Sequence, residues 1–150
     1  ITAAAPAMRS LAETVKQSCN LSVLDADRVR VIAQVESPAD FGYRVRVGAL
    51  FPVESTATGA VLSGRETLLV RPDPLQAGIT DVVAAIRDSR DATIAAITVP
   101  YVSTTFSRIP VDTVATAAGA TALAISERLA GLVRLATLAG STGASARLEV

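Results

Sequence analysis

The chain predicts an α+β fold of six strands and three helices, and three observations carry that expectation. Apolar residues recur at helical spacing near both ends, polar and apolar residues alternate through the middle, and short polar turns separate adjacent strand-like runs. Met8, Leu11, Ala12, Val15 and Cys19 repeat every three or four residues, predicting a helix of about four turns from Ala7 to Ser18 with Cys19 on its apolar face. With no His and no second Cys to activate it, Cys19 reads as a buried thiol and not a nucleophile. Leu21 to Leu24 and Arg28 to Glu36 read as strands of a hairpin joined at Asp25-Ala26-Asp27. In the second, Val29, Val31, Ala33 and Val35 share one face, which makes it a core face.

Ser37-Pro38-Ala39-Asp40 breaks that strand, and Arg44 to Val47 alternates again as a third. Gly48 and Pro52 then punctuate the chain, and Glu54-Ser55-Thr56 opens a helix running from Thr56 to Leu62. A helix start presents unpaired N–H groups and partial positive charge, and Ala57, Thr58 and Gly59 are small enough to let a carboxylate approach the backbone. Strands follow at Thr67 to Val70, Asp81 to Arg87 and Thr93 to Val99, the last two as an antiparallel hairpin across Asp88-Ser89-Arg90-Asp91. Residues 71–78 are rich in turn formers, and loops hung on a rigid sheet concentrate ligand contacts. Pro100 ends the last strand, and Ser103 to Pro110 is a polar connection. From Val111 an Ala-rich helix begins, with Val114, Ala118, Ala122, Ile125, Leu129 and Leu132 as its buried stripe. Its stop falls at Gly131 or Gly140, before a loose tail from Ser141 to Val150.

At 150 residues, half of them apolar, the chain reads as one domain able to bury a core without staples. Fourteen Lys and Arg balance fourteen Asp and Glu, which disfavours direct grip on DNA. One Cys excludes an internal disulfide, and the absence of His removes the commonest metal ligand and general base, so no metal and no cofactor is expected. A hydrolase using Ser55 or Thr56 is disfavoured because an unactivated hydroxyl is a weak nucleophile, and the chain is read as no enzyme. No apolar run approaches the roughly 20 residues that span a bilayer, and no signal-peptide pattern opens the sequence. The expected location is the cytoplasm.

The spacing Arg-x-Gly-x-x-x-Pro-x-x-x-x-Ala-x-Gly at Arg46, Gly48, Pro52, Ala57 and Gly59 resembles the effector-binding domain of IclR-family transcription regulators. The stretches Gly78 to Asp88 and Ile94 to Tyr101 look like the two closing strands of that domain, and Ala124 to Gly131 is similar to its last helix. The likeness covers nearly everything from Met8 to Gly131. It implies a curved, mainly antiparallel six-stranded sheet with flanking helices, of the GAF/profilin-like kind, cupping a pocket for a small organic acid. It also implies a homodimer or homotetramer, no membrane contact, and promoter DNA bound only through an N-terminal winged helix-turn-helix that is not present before Ile1. A second departure is the connection at Gly64-Arg65, where the family has several further helical turns. The matching flanks favour residues omitted there over a short segment.

Carried over residue by residue, the resemblance places ligand-binding amides at Ala57 and Thr58, the acidic loop position at Asp73, and one closing-strand hydroxyl at Thr98. The other hydroxyl meets Pro100, which has no donor and suggests a ligand less polar on one side. A Cys found in some members falls on Ala85, implying a wider, more apolar pocket walled by Tyr43, Phe51 and Val83. Each position also has an ordinary structural use. Ser55 and Thr56 serve as helix caps, Gly59 as a close-packing point, Asp73 as a turn residue, Thr98 as a strand former, and Tyr43 and Phe51 as core. Arg44 and Arg46 read as a solvated sheet face.

Overall fold

The computed structural model describes residues 1–40, 42–103 and 109–139. Along the chain, α1 (Ala5–Val15) precedes β1 (Cys19–Asp25), β2 (Arg28–Val35) and β3 (Leu50–Pro52). Then come α2 (Ala57–Leu62), β4 (Leu68–Pro72), β5 (Ile79–Arg87), β6 (Thr93–Val102) and α3 (Val111–Leu138). The strands form one curled antiparallel sheet in the order β3-β2-β1-β6-β5-β4. Two hairpins, β1–β2 and β5–β6, meet along the central β1–β6 pair, and the short strands β3 and β4 close the two edges. The expected α+β class, strand number and helix number are what the described residues contain.

α1 buries Met8, Leu11, Ala12 and Val15, the predicted stripe, and stops when Lys16 turns into the left-handed region at φ 58° with its N–H on Ala12 O. That stop comes three residues earlier than expected. Cys19 therefore opens β1 and is not helical, although it is fully buried in the same core with its Sγ 3.5 Å from Met8 O. Burial alone pushes its thiol up to about 12, which keeps it protonated and inert.

One face of the sheet is sealed by α1 and α3. Leu21 of β1, Val82, Ala84 and Ile86 of β5, and Ala95, Ile97 and Val99 of β6 point there, against Met8, Val114, Ala118, Ala122, Ile125 and Leu129. The other face is covered only in part by α2, where Val29, Ala57, Val61, Leu62, Val83 and Ala96 form a smaller cluster. β2 does not serve one face, as its alternation predicts. Leu21 pairs with Ala33 but Ser22 pairs with Val31, so Ile32 is an extra residue. Such a bulge shifts the pleat by one. As a result Ala33 and Val35 join the sealed core while Val29 and Val31 look to the α2 side.

Three further expectations need correction. Arg44 to Val47 is not a strand: it runs beside the sheet with Val47 exposed, and backbone bonding to β2 begins at Gly48 and Ala49, which join Val31, where Gly48 turns the chain at φ 91° into β3. Alternation there reflects a segment with one side toward the α2 face, since Tyr43 and Val45 turn inward. Pro100 does not end β6, which continues to Val102 with Pro100 opposite Asp81. The β1 ladder has already stopped at Thr98, and Val102, two residues beyond Pro100, gives its N–H to Gln17 Oε1 on that same side. The donor that proline lacks would have pointed where no strand waits. Finally, α3 runs through Gly131, and Leu132 is exposed and outside the buried stripe. Gly140, the tail from Ser141 to Val150 and most of the Ser103–Pro110 connection lie outside the described residues.

α2 is placed by two local devices. Thr56 caps it, accepting the Gly59 N–H at 3.1 Å, as predicted for this hydroxyl. Gly59 lies so close to the chain before the helix that a Cβ there would sit 1.9 Å from Val53 O, so only glycine permits the contact. At the far end Gly64 N–H reaches Val61 O and Arg65 N–H reaches Ala60 O, with Gly64 at φ 81°. This Schellman closure lets the connection at Gly64-Arg65 enter β4 without further helix.

Candidate functional site

The half-covered face holds a cavity of about 80 Å³. Its floor is the sheet, where side chains alternate: in β1, Asn20 and Ser22 face it while Cys19 and Leu21 face the sealed core. Thr98 and Pro100 of β6 and Asp81 of β5 continue that floor. The register sets them in a row, with Asn20 opposite Thr98 and Asp81 opposite Pro100. Thr98 and Pro100 are two residues apart, so the two pairs stand about 7 Å apart along the strands. Tyr43 and Val45 from the segment after β2, Phe51 of β3, Thr56 and Thr58 at the start of α2, and Asp73, Leu75 and Gln76 from the loop after β4 complete the walls.

Five of the eight predicted site residues are brought together here: Tyr43, Phe51, Thr58, Asp73 and Thr98. Three are not at the wall. Ala57 is buried with its side chain in the cluster of Val29, Val61 and Leu62, and Val83 is fully buried in the same cluster. Ala85 lies farther along β5, on an open groove it shares with Leu68, Ala84 and Leu123, so it cannot widen the cavity. Pro100 does line it, supplying an apolar surface where a hydroxyl was the alternative.

Asn20, Ser22, Gln76 and Asp81 also line the cavity and are not among the residues expected from the sequence. A signal for three of them exists: each is a polar residue at a buried position of an otherwise apolar strand, and such groups need a purpose or a partner. Ser22 Oγ donates to Asn20 Oδ1 at 3.3 Å. Thr58 and Thr98 share a hydrogen bond at 2.8 Å between their hydroxyls. Asp73 is also a turn residue, since its Oδ1 accepts the N–H groups of Leu75 at 2.7 Å and Gln76 at 3.2 Å. The turn places the carboxyl at the cavity wall.

Two carboxyl groups thus meet in one small space. Asp81 is 8% exposed, and burial, with a hydrogen bond to Asp73 and that group's charge, pushes it up to about 7 against the opposing pull of Arg71. Tyr43 is raised in the same direction, by burial first and then by Asp73 and Asp81. Among the described residues no Lys or Arg lines the cavity. Among the described residues no cluster of three His, Cys, Asp or Glu could hold a metal ion, and no helix is long and apolar enough to cross a membrane.

Residues 1–67 match the family model for the bacterial transcriptional regulator IclR C-terminal region, a match that ends beside the Gly64-Arg65 connection. No curated protein matches the chain. Among solved structures, an IclR homolog from Microbacterium hydrocarbonoxydans complexed with 4-hydroxybenzoate is similar at 17% identity and a TM-score of 0.73, over 87% of this chain and 68% of that one. HmgR of Pseudomonas aeruginosa is similar at 20% identity and a TM-score of 0.70, over 86% of this chain and 66% of that one. The C-terminal domain of the E. coli transcriptional regulator KdgR is similar at 17% identity and a TM-score of 0.70, over 87% of this chain and 98% of that one. The last comparison aligns nearly a whole domain, and the first two align part of longer regulators. The likeness read from the motifs at Arg46–Gly59 and Gly78–Tyr101 therefore stands: the chain has the fold of an IclR-type regulator's C-terminal domain, and its first 67 residues match that family's own model.

Proposed function

We propose that this chain is the effector-sensing half of an IclR-like transcription regulator, taking a small carboxylic acid or related metabolite into the cavity between α2 and the sheet. The observation that carries this is the set of buried polar side chains, Asn20, Ser22, Thr58, Asp81 and Thr98, gathered around open space on the one sheet face that no helix fills. Buried polar groups are costly unless hydrogen-bonded, and these keep spare donor and acceptor capacity beyond their bonds to one another that a ligand can take up. Thr58, Thr98, Asp73, Tyr43 and Phe51 are the contacts in this reading. Ala57, Val83 and Ala85 contribute by shaping the cluster behind the wall. The solved relative with 4-hydroxybenzoate supports an acid of modest size for this fold.

The domain acts as one unit for binding and pairing, and DNA is bound by a separate winged helix-turn-helix domain. The reading makes the protein cytoplasmic and no enzyme. The sensing unit pairs with further copies of itself as a dimer or tetramer, for which α3 offers exposed Leu123, Leu135 and Leu138. An effector shifts the balance between two arrangements of that assembly only through its difference in affinity for them, usually about 1 to 3 kcal/mol of coupling. Calorimetric titration with a panel of small carboxylates tests the site. Asp73→Ala removes the carboxyl and its turn and is expected to weaken binding about tenfold while the domain stays folded by circular dichroism. Unchanged affinity in that variant discards the site assignment.

A further inference from the structure

The acid-binding reading leaves one feature of the cavity unexplained, which is that, among the described residues, two carboxyl groups line it and no basic side chain does. A ligand that is only an anion would face Asp73 and Asp81 with nothing opposite in charge among the described residues of the wall. Arg71 stands opposite Asp81 in the β4–β5 register but lies off the cavity. At the other end of the floor, Asn20 is 4% exposed, its Oδ1 is taken by Ser22, and its amide NH₂ opens on the cavity with no hydrogen-bond partner among the described residues. Thr98 beside it shares a single hydrogen bond with Thr58, so one of those two hydroxyl protons is also free to be donated. The floor is therefore polarised, with donors at the Asn20–Thr98 pair and acceptors at Asp81 and Asp73, offset by about 7 Å along the strands and, from Thr98 to Asp81, by one strand spacing of about 4.8 Å across them.

We propose that the ligand is a short amino acid, its carboxylate on Asn20 and the threonine hydroxyls and its ammonium group on the Asp73–Asp81 pair. This rests on the sensor reading and narrows its ligand class. An ammonium between the two carboxyls replaces the proton that Asp81 otherwise gives to Asp73, and that proton leaves to solvent. Charge-assisted bonds of this kind are the strong ones. The groups that face Asp81 and shape its titration are Asp73 from the loop after β4, Tyr43 from the segment after β2, and Arg71 from β4; Pro100, its neighbour on β6, is neutral. Below about pH 7 the ligand must first expel a proton from Asp81, so affinity for an amine-bearing probe falls about tenfold for each pH unit.

The test is calorimetric titration of the chain with 4-aminobutyrate and with pentanoate, which has the same length and carries a methyl in place of the ammonium. At about pH 8 the amino acid is expected to bind about tenfold more tightly. That preference is expected to shrink as pH falls below about 7, and to disappear with its pH dependence in Asp81→Asn, a substitution that keeps the side chain's shape. Asp73→Asn, chosen because it retains an oxygen for the Leu75 and Gln76 N–H groups, is expected to lower the preference too. Pentanoate binding as tightly as 4-aminobutyrate overturns the proposal and leaves a sensor of plain acids standing. Failure of both probes at millimolar concentration also overturns it. The sensor reading itself falls only if the wider carboxylate panel fails to titrate, or if Asp73→Ala leaves its affinities unchanged.

Discussion

The two faces of the sheet are built from the same strands and differ in what covers them. α1 and α3 press a continuous apolar layer onto one face, while the other receives only the six residues of α2 and two loop segments, leaving a polar hollow. The difference separates stability from recognition. A packed interior loses free energy with each missing methylene, whereas a lined cavity can exchange side chains at little expense and change what it admits.

Substitutions on the two faces test that contrast. The largest effect is expected at Ile97, fully buried in the sealed core: Ile97→Ala should lower unfolding free energy by about 4 kcal/mol in denaturant titration. Gly59→Ala comes next at about 3 kcal/mol, because the new Cβ has Val53 O, C and Cα within 2.6 Å and α2 must shift off its seat. A Gly59 variant as stable as the parent would show that α2 adapts freely. On the cavity face, Asp81→Asn should give a difference in melting temperature that depends on pH. The native carboxyl titrates near 7, far above its ordinary 3.8, so the folded state holds a proton that the unfolded chain has released. Native stability therefore drops as pH rises from about 4 to 7. The Asn variant lacks that drop and should gain a few degrees relative to the parent over that range, then hold the gain. Smallest of all, Thr98→Val keeps the shape and removes one hydrogen bond with Thr58, for a change within about 1.5 kcal/mol. A loss there as large as at Ile97 would mean that both faces are equally intolerant.

The order of elements was legible because periodicity and turn chemistry are local. Met8 to Val15 and Val114 to Leu129 carry their own stripe, the hairpins carry their own turns, and the Thr56 cap with Gly59 behind it marks α2 within a few residues. What escaped depended on register between distant segments. Nothing near Ile32 announces a bulge, because the extra residue exists only relative to β1. Likewise Pro100 looks like a stop until its blind side is seen to face the place where β1 has ended. The site followed the same division. Motif likeness points to Tyr43, Phe51, Thr58, Asp73 and Thr98, whereas Asp81 reads from the sequence as a strand residue and nothing more. Its meeting with Asp73 depends on how β5 pairs with β4 and where the following loop returns.

The single inserted residue in β2 gives one strand two independent duties. Val29 and Val31 can vary with the chemistry of whatever the cavity receives, while Ala33 and Val35 stay bound to an interior that tolerates little change. Ile32 thus works as a partition within seven amino acids, so that drift toward a new specificity on one flank need not loosen the scaffold on the other.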